Sequence, residues 1–92
     1  MFKVIFTEDA DADIAAIADY VKADNPIAAA QLRAQLYQLP SRLAQFPRSG
    51  HQVRRKKHLF KLIHGNYLLY YRIKESERIV EIVSCIHAAR AR

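Results

Sequence analysis

The sequence predicts an α+β domain: an opening strand, a two-helix antiparallel hairpin, and a three-stranded antiparallel meander completing one mostly antiparallel sheet. Three observations predict it. Apolar residues recur at helical spacing from Ala10 to Phe46 and then follow an extended pattern after Gly50. Turn residues divide the chain at Asp24-Asn25-Pro26, Phe46 to Gly50, His64-Gly65-Asn66 and Lys74 to Glu77. Finally, 92 residues with 51% apolar content allow one domain, residues 1–92, with a modest core that needs no staples.

Phe2, Val4 and Phe6 around Lys3 and Ile5 form a short run rich in β-branched and aromatic residues, which predicts the opening strand. Thr7 before Glu8 and Asp9 is the arrangement of a hydroxyl cap followed by acids in the positive first turn of a helix. Ala10, Ile14, Ile17, Ala18 and Val21 then mark an amphipathic helix from about residue 9 to residue 23. Asn25 is a good N-cap and Pro26 is tolerated at the first helical position, so a second helix starts there. Its stripe runs through Ala29, Leu32, Leu36, Leu39, Leu43 and Phe46. Pro40 interrupts it and predicts a kink or short break.

After the turn at residues 46–50, Gln52 to Arg55, Leu59 to Ile63, Tyr67 to Ile73 and Ile79 to Ile86 read as extended. Strict alternation sets Tyr67, Leu69, Tyr71 and Ile73 against Leu68 and Tyr70, and Val80, Ile82 and Ile86 against Val83 and Cys85. Both sheet faces are therefore apolar, while a two-helix hairpin covers only one. The uncovered face implies a protein partner, or else a cover made by loops and the C-terminal residues.

Charge is strongly segregated. Residues 1–24 carry two cations and six acids, whereas residues 25–74 carry ten cations and no acid, and the whole chain is +6. Such an asymmetry attracts polyanions or an acidic protein, unless it is simply a solvated basic face. Cys85 is the lone cysteine, so no internal disulfide forms, and no apolar run is long enough to span a membrane. The expectation is a soluble cytoplasmic chain.

The acids cluster on the first helix and in a late turn, which argues against a pair of catalytic carboxylates. His51, His58, His64 and His87 lack the close spacing of a helical metal site, and only Gly50 and Gly65 are available, so no glycine-rich phosphate loop exists. No metal and no cofactor are expected. What remains is Arg, Lys, His and Tyr, a set able to hold a phosphate and cleave RNA through its 2′-hydroxyl, with His87 or a Tyr moving protons. The competing reading is that the tyrosines pack in the sheet and that His87 simply ends a strand.

Several phrases, in order, resemble the ParE/RelE superfamily of type II toxin–antitoxin toxins, on its ParE-like side. They are the strand ending at Phe6; Ala10, Asp13-Ile14, Ile17 and Tyr20; Asn25-Pro26 with Ala29-Ala30; Leu43, Pro47 and Gly50; Leu59-Phe60; Gly65-Asn66-Tyr67; Tyr70-Tyr71-Arg72; and Ile86-His87-Ala88-Ala89-Arg90. The last is similar to the His-x-x-Arg close of ParE-like sequences.

The resemblance implies a toxin, often plasmid-stabilising, that is neutralised by a cognate antitoxin in a hetero-oligomer. ParE-like members poison DNA gyrase by binding; RelE-like members cleave messenger RNA on the ribosome with basic residues and, often, a Tyr near the C-terminus. No Tyr follows Tyr71 here, which favours the gyrase side. The target-binding candidates are Arg54, Arg55, Lys56, Lys57, Lys61, Arg72 and Arg90. The ribonuclease alternative would make His87, Arg90 and Lys61 catalytic. The antitoxin is expected along the sheet face of Tyr67, Leu69 and Tyr71, or its opposite, together with the first helices.

Overall fold

The computed structural model describes residues 1–90, the last of them by its backbone alone. Strand β1 (Lys3–Phe6) leads into helix α1 (Glu8–Lys22), capped by Thr7, whose Oγ1 accepts the Ala10 N–H at 3.1 Å. Helix α2 (Pro26–Gln38) begins at Asn25, whose Oδ1 accepts the Ala28 N–H at 3.0 Å. The break expected at Pro40 is present: the α-helix ends at Gln38 and a 3-10 segment, Leu39–Ala44, continues the chain. Pro40 is itself buried there.

Strands β2 (His51–Gln52), β3 (Leu59–His64), β4 (Tyr67–Lys74) and β5 (Ile79–His87) follow, and a 3-10 turn, Ala88–Arg90, closes the described chain. The sheet order is β1-β5-β4-β3-β2, antiparallel except that β1 runs parallel to β5. The extended reading of Gln52 to Arg55 is corrected. Pairing stops at Gln52, and Arg54 and Arg55 lie in a turn, where Arg55 takes the left-handed region with φ of 69°.

A β-bulge decides the faces. Tyr70 pairs with Ser84 but Tyr71 pairs with Ile82, so Val83 is an extra residue and the side-chain phase of β5 changes there. Val80 and Ile82 therefore share a face with Cys85 and His87, not with Ile86 as strict alternation predicts. Thr7 anchors the irregularity, its hydroxyl lying 3.0 Å from the Ile82 carbonyl and 3.3 Å from that of Val83.

The hairpin covers the face carrying Leu62, Leu69, Tyr71, Val80, Ile82 and Cys85, which join Ile14, Leu36 and Leu43 in one buried core. Among the described residues the opposite face has no helical cover. It carries Ile63, half exposed, together with Lys61, Tyr70, Arg72 and Glu81. Leu68 is nonetheless buried on that face, flanked across the strands by Ile63 and Ile86.

Candidate target-binding and partner-binding surfaces

The densest positive charge lies in the loop joining β2 to β3. Its shape comes from short-range hydrogen bonds. Val53 N–H donates to the Leu59 carbonyl at 2.8 Å, Lys56 N–H to the Val53 carbonyl at 3.1 Å, and Leu59 N–H to the Lys56 carbonyl at 2.9 Å. The Gln52 side chain also donates to the Lys57 carbonyl at 2.6 Å. Arg54, Arg55, Lys56 and Lys57 are all exposed, and none is ion-paired among the described residues.

Lys61 and Arg72 stand on the uncovered face but differ in electrostatic state. Lys61 is half-buried, with Tyr70 and His51 as cross-strand neighbours. Arg72 is not a free cation: its Nε lies 2.5 Å from Glu81 Oε1, and Lys74 Nζ lies 3.6 Å from Glu81 Oε2. The Arg72 hydrogen bond leads the effects that hold the Glu81 carboxyl below the usual carboxylate range, against a smaller opposing effect of burial. Glu81 escaped the sequence reading. Its only signal was an acid set among Val80 and Ile82 in an apolar strand.

His87 sits elsewhere. It pairs with Tyr67 at the far end of the sheet, on the helix side, with the two rings edge to face at 5.3 Å. Its Nδ1 accepts the Ala89 N–H at 3.2 Å. Lys61 lies three positions further along the ladder and points to the opposite face, so the fold separates His87 from Lys61, two of the three expected catalytic residues. Arg90 ends the final 3-10 turn, and its side chain lies outside the described residues.

The expected antitoxin contacts differ in how much surface they present. Leu69 and Tyr71 have no exposed surface (0%), because the hairpin buries the face they occupy; Tyr67 is half-buried at its margin. What the structure offers instead is a groove of about 520 Å³ between α1 and the ends of β4 and β5. Ile17, Tyr20, Val21, Tyr67 and His87 line it, and Tyr20 is 81% exposed. Sequence reading placed Tyr20 on α1 without giving it a role.

At the floor of this groove Asp13 Oδ2 accepts the Cys85 N–H at 2.9 Å, which ties α1 to β5. Burial, and secondarily the Asp13 charge, pushes the Cys85 thiol up to about 11, so it is a neutral thiol at physiological pH and no nucleophile. Among the described residues no three His, Cys, Asp or Glu gather into a metal-binding cluster. Among them, too, no helix is long and apolar enough to cross a membrane.

Comparison with known proteins places this arrangement. The family described as the ParE toxin of type II toxin–antitoxin system, parDE, matches residues 4–92. A chain of the chromosomal ParDE system from P. aeruginosa superposes with a TM-score of 0.82 at 18% identity, covering 95% of this chain and 96% of that one. A chain of the RelBE2 toxin–antitoxin complex from Mycobacterium tuberculosis gives 0.61 at 26% identity, over 94% and 96%. A chain of the E. coli RelBE toxin–antitoxin complex gives 0.66 at 19% identity, over 98% and 100%. No match was found among curated proteins. With the family match spanning all but the first three residues, the chain belongs to the ParE toxin family of type II toxin–antitoxin systems.

Proposed function

We propose that this toxin acts in the cytoplasm by binding DNA gyrase and stopping DNA replication, without catalysis by its own side chains, and that a cognate antitoxin holds it inactive. The observation that carries this reading is the separation of His87 from Lys61 on opposite faces of the sheet. General acid–base catalysis requires the proton-transferring group and the charge-stabilising group to converge on one reacting centre, and these two do not. The ParE family match supports the same side.

The loop Arg54 to Lys57, with Lys61 beside it, is the basic surface turned toward the gyrase–DNA target, since these cations carry no acid partner among the described residues. Arg72 contributes less, being held by Glu81. The antitoxin contact is the groove along α1, where Tyr20 offers a large amphipathic ring of the kind that anchors protein interfaces. The neighbouring ParDE and RelBE structures come from toxin–antitoxin systems, which supports a partner of that kind.

A ribosome-dependent ribonuclease is the second reading. One arrangement favours it: His51, Lys61 and Tyr70 lie in one cross-strand row on the uncovered face, setting proton-transfer groups beside a cation. Pulse incorporation of labelled thymidine and methionine, just after induction without antitoxin, separates the two. Thymidine falling first is the expected result; methionine falling first transfers the function to the ribosome.

A further inference from the structure

Two arginines adopt a backbone conformation that suits glycine. Arg55 has φ of 69° and Arg78 has φ of 54°, in the β2–β3 loop and the β4–β5 turn. These connections lie at the same end of the sheet, because β4 ends and β5 begins where β3 starts. Glycine or asparagine holds the left-handed region at less cost than a long side chain does. Strain of this kind is an observation from which a function can be argued.

The two positions have different explanations. The Arg78 guanidinium stacks over the Phe2 ring at 5.5 Å, so its side chain has an intramolecular role. Arg55 has none: it is exposed, unpaired among the described residues, and sits between Arg54 and Lys56 in a loop already held by three backbone hydrogen bonds and the Gln52 side chain. The loop is internally hydrogen-bonded, and its four cations form no ion pair among the described residues. Its use is therefore external.

Two partner chemistries fit four consecutive cations, an acidic protein or a nucleic-acid backbone. A protein interface draws its affinity from a buried apolar and aromatic centre, and lysine is depleted there. Residues 54–57 contain no apolar side chain, and the flanking Val53 and Leu59 are half-buried. A phosphate backbone needs only Arg and Lys. Binding to single strands adds aromatic stacking platforms. The loop has no Phe, Tyr or Trp; its one ring is the exposed imidazole of His58, and Phe60, at the start of β3, is half-buried and stacked on Tyr71 with centroids 5.4 Å apart.

We propose that the Arg54–Lys57 loop is a preorganised, sequence-independent clamp for the phosphate backbone of duplex DNA. The inference rests on the gyrase reading, in which the toxin works beside the DNA that gyrase holds, and it names nucleic acid as the loop's direct contact.

The test is fluorescence anisotropy of the purified chain with a labelled DNA duplex of two helical turns, without gyrase, across a series of salt concentrations. Four phosphate contacts give a slope of log K against log salt of about −3.6. Two unrelated duplex sequences should bind equally. Arg55→Gly should keep or raise the melting temperature, since glycine suits that backbone, while shrinking the slope by about one unit. Lys57→Gln should shrink it similarly.

A slope shallower than about −1, or substitutions that leave it unchanged, overturns the proposal. Tighter binding of single-stranded RNA, or equal competition by polyglutamate at matched charge, also overturns it, in favour of an RNA or an acidic protein respectively. Because the assay contains no gyrase, its failure leaves the thymidine result standing, and a methionine-first result leaves the binding result standing.

Discussion

The hydroxyl of Tyr71, a side chain in the centre of the sheet, accepts the Gly50 N–H at 3.0 Å and donates to the Pro47 carbonyl at 2.8 Å. One buried phenol thereby fastens the turn between the helical layer and β2 to the core. Burial raises its pKa above the ordinary tyrosine value, more than the Gly50 hydrogen bond lowers it, which keeps the donor proton in place. Tyr71→Phe keeps the ring but leaves the Pro47 carbonyl and the Gly50 N–H without this partner. A loss of about 1–3 kcal/mol is expected in urea unfolding, and an unchanged midpoint would show that the turn is held by other contacts.

Gly50 is required by space. A Cβ there would stand 2.5 Å from the Tyr71 hydroxyl and 2.8 Å from the Lys61 carbonyl, and neither the buried phenol nor the strand backbone yields cheaply. Gly50→Ala should therefore cost about 1–3 kcal/mol, read as a lowered melting temperature. A gain in stability would mean that the turn relaxes away from β3.

Glu81 makes stability depend on pH in a definite direction. Its carboxyl titrates below the ordinary value in the folded chain, so at pH values between the two the unfolded chain binds more protons. Its contribution is present above the unfolded pKa and is lost as pH falls through the folded one. Glu81→Gln should thus flatten the acid limb of the stability–pH curve. An identical acid limb in both proteins would show that Arg72 and Lys74 do not stabilise the ionised carboxylate.

His87→Gln tests the binding reading directly. If the toxin works by binding, growth arrest on induction should stay within a few-fold of the parent. If His87 moves a proton in RNA cleavage, cleavage should fall by roughly 10²–10⁴-fold.

Tyr20 is 81% exposed on the groove, so replacing it leaves the core intact. Tyr20→Asp should weaken antitoxin affinity by roughly 30-fold or more, the size expected of an interface anchor worth about 2 kcal/mol, while melting at the parent temperature. Unchanged neutralisation by co-expressed antitoxin would move the partner to another surface.

The sequence by itself determined the elements that depend on neighbouring residues. Thr7 and Asn25-Pro26 marked helix starts and Pro40 marked a break, because caps and proline act within one turn of chain. The β4 hairpin with β3, and the charge asymmetry, were legible for the same reason.

Only the tertiary structure decided the rest. Alternation showed two apolar faces and could not say which the helices cover, since both read alike; the hairpin buried Leu69 and Tyr71 and left Ile63 and Tyr70 on the other side. The bulge at Val83 shifted the phase of β5, and no residue type there announces it. Arg72 reads as a free cation until β5 brings Glu81 against it, nine positions along the chain, and Lys61 and His87 read as one site until the pleat sends them to opposite faces. Local chemistry writes the elements, but which side chains share a face is settled by pairing between distant segments.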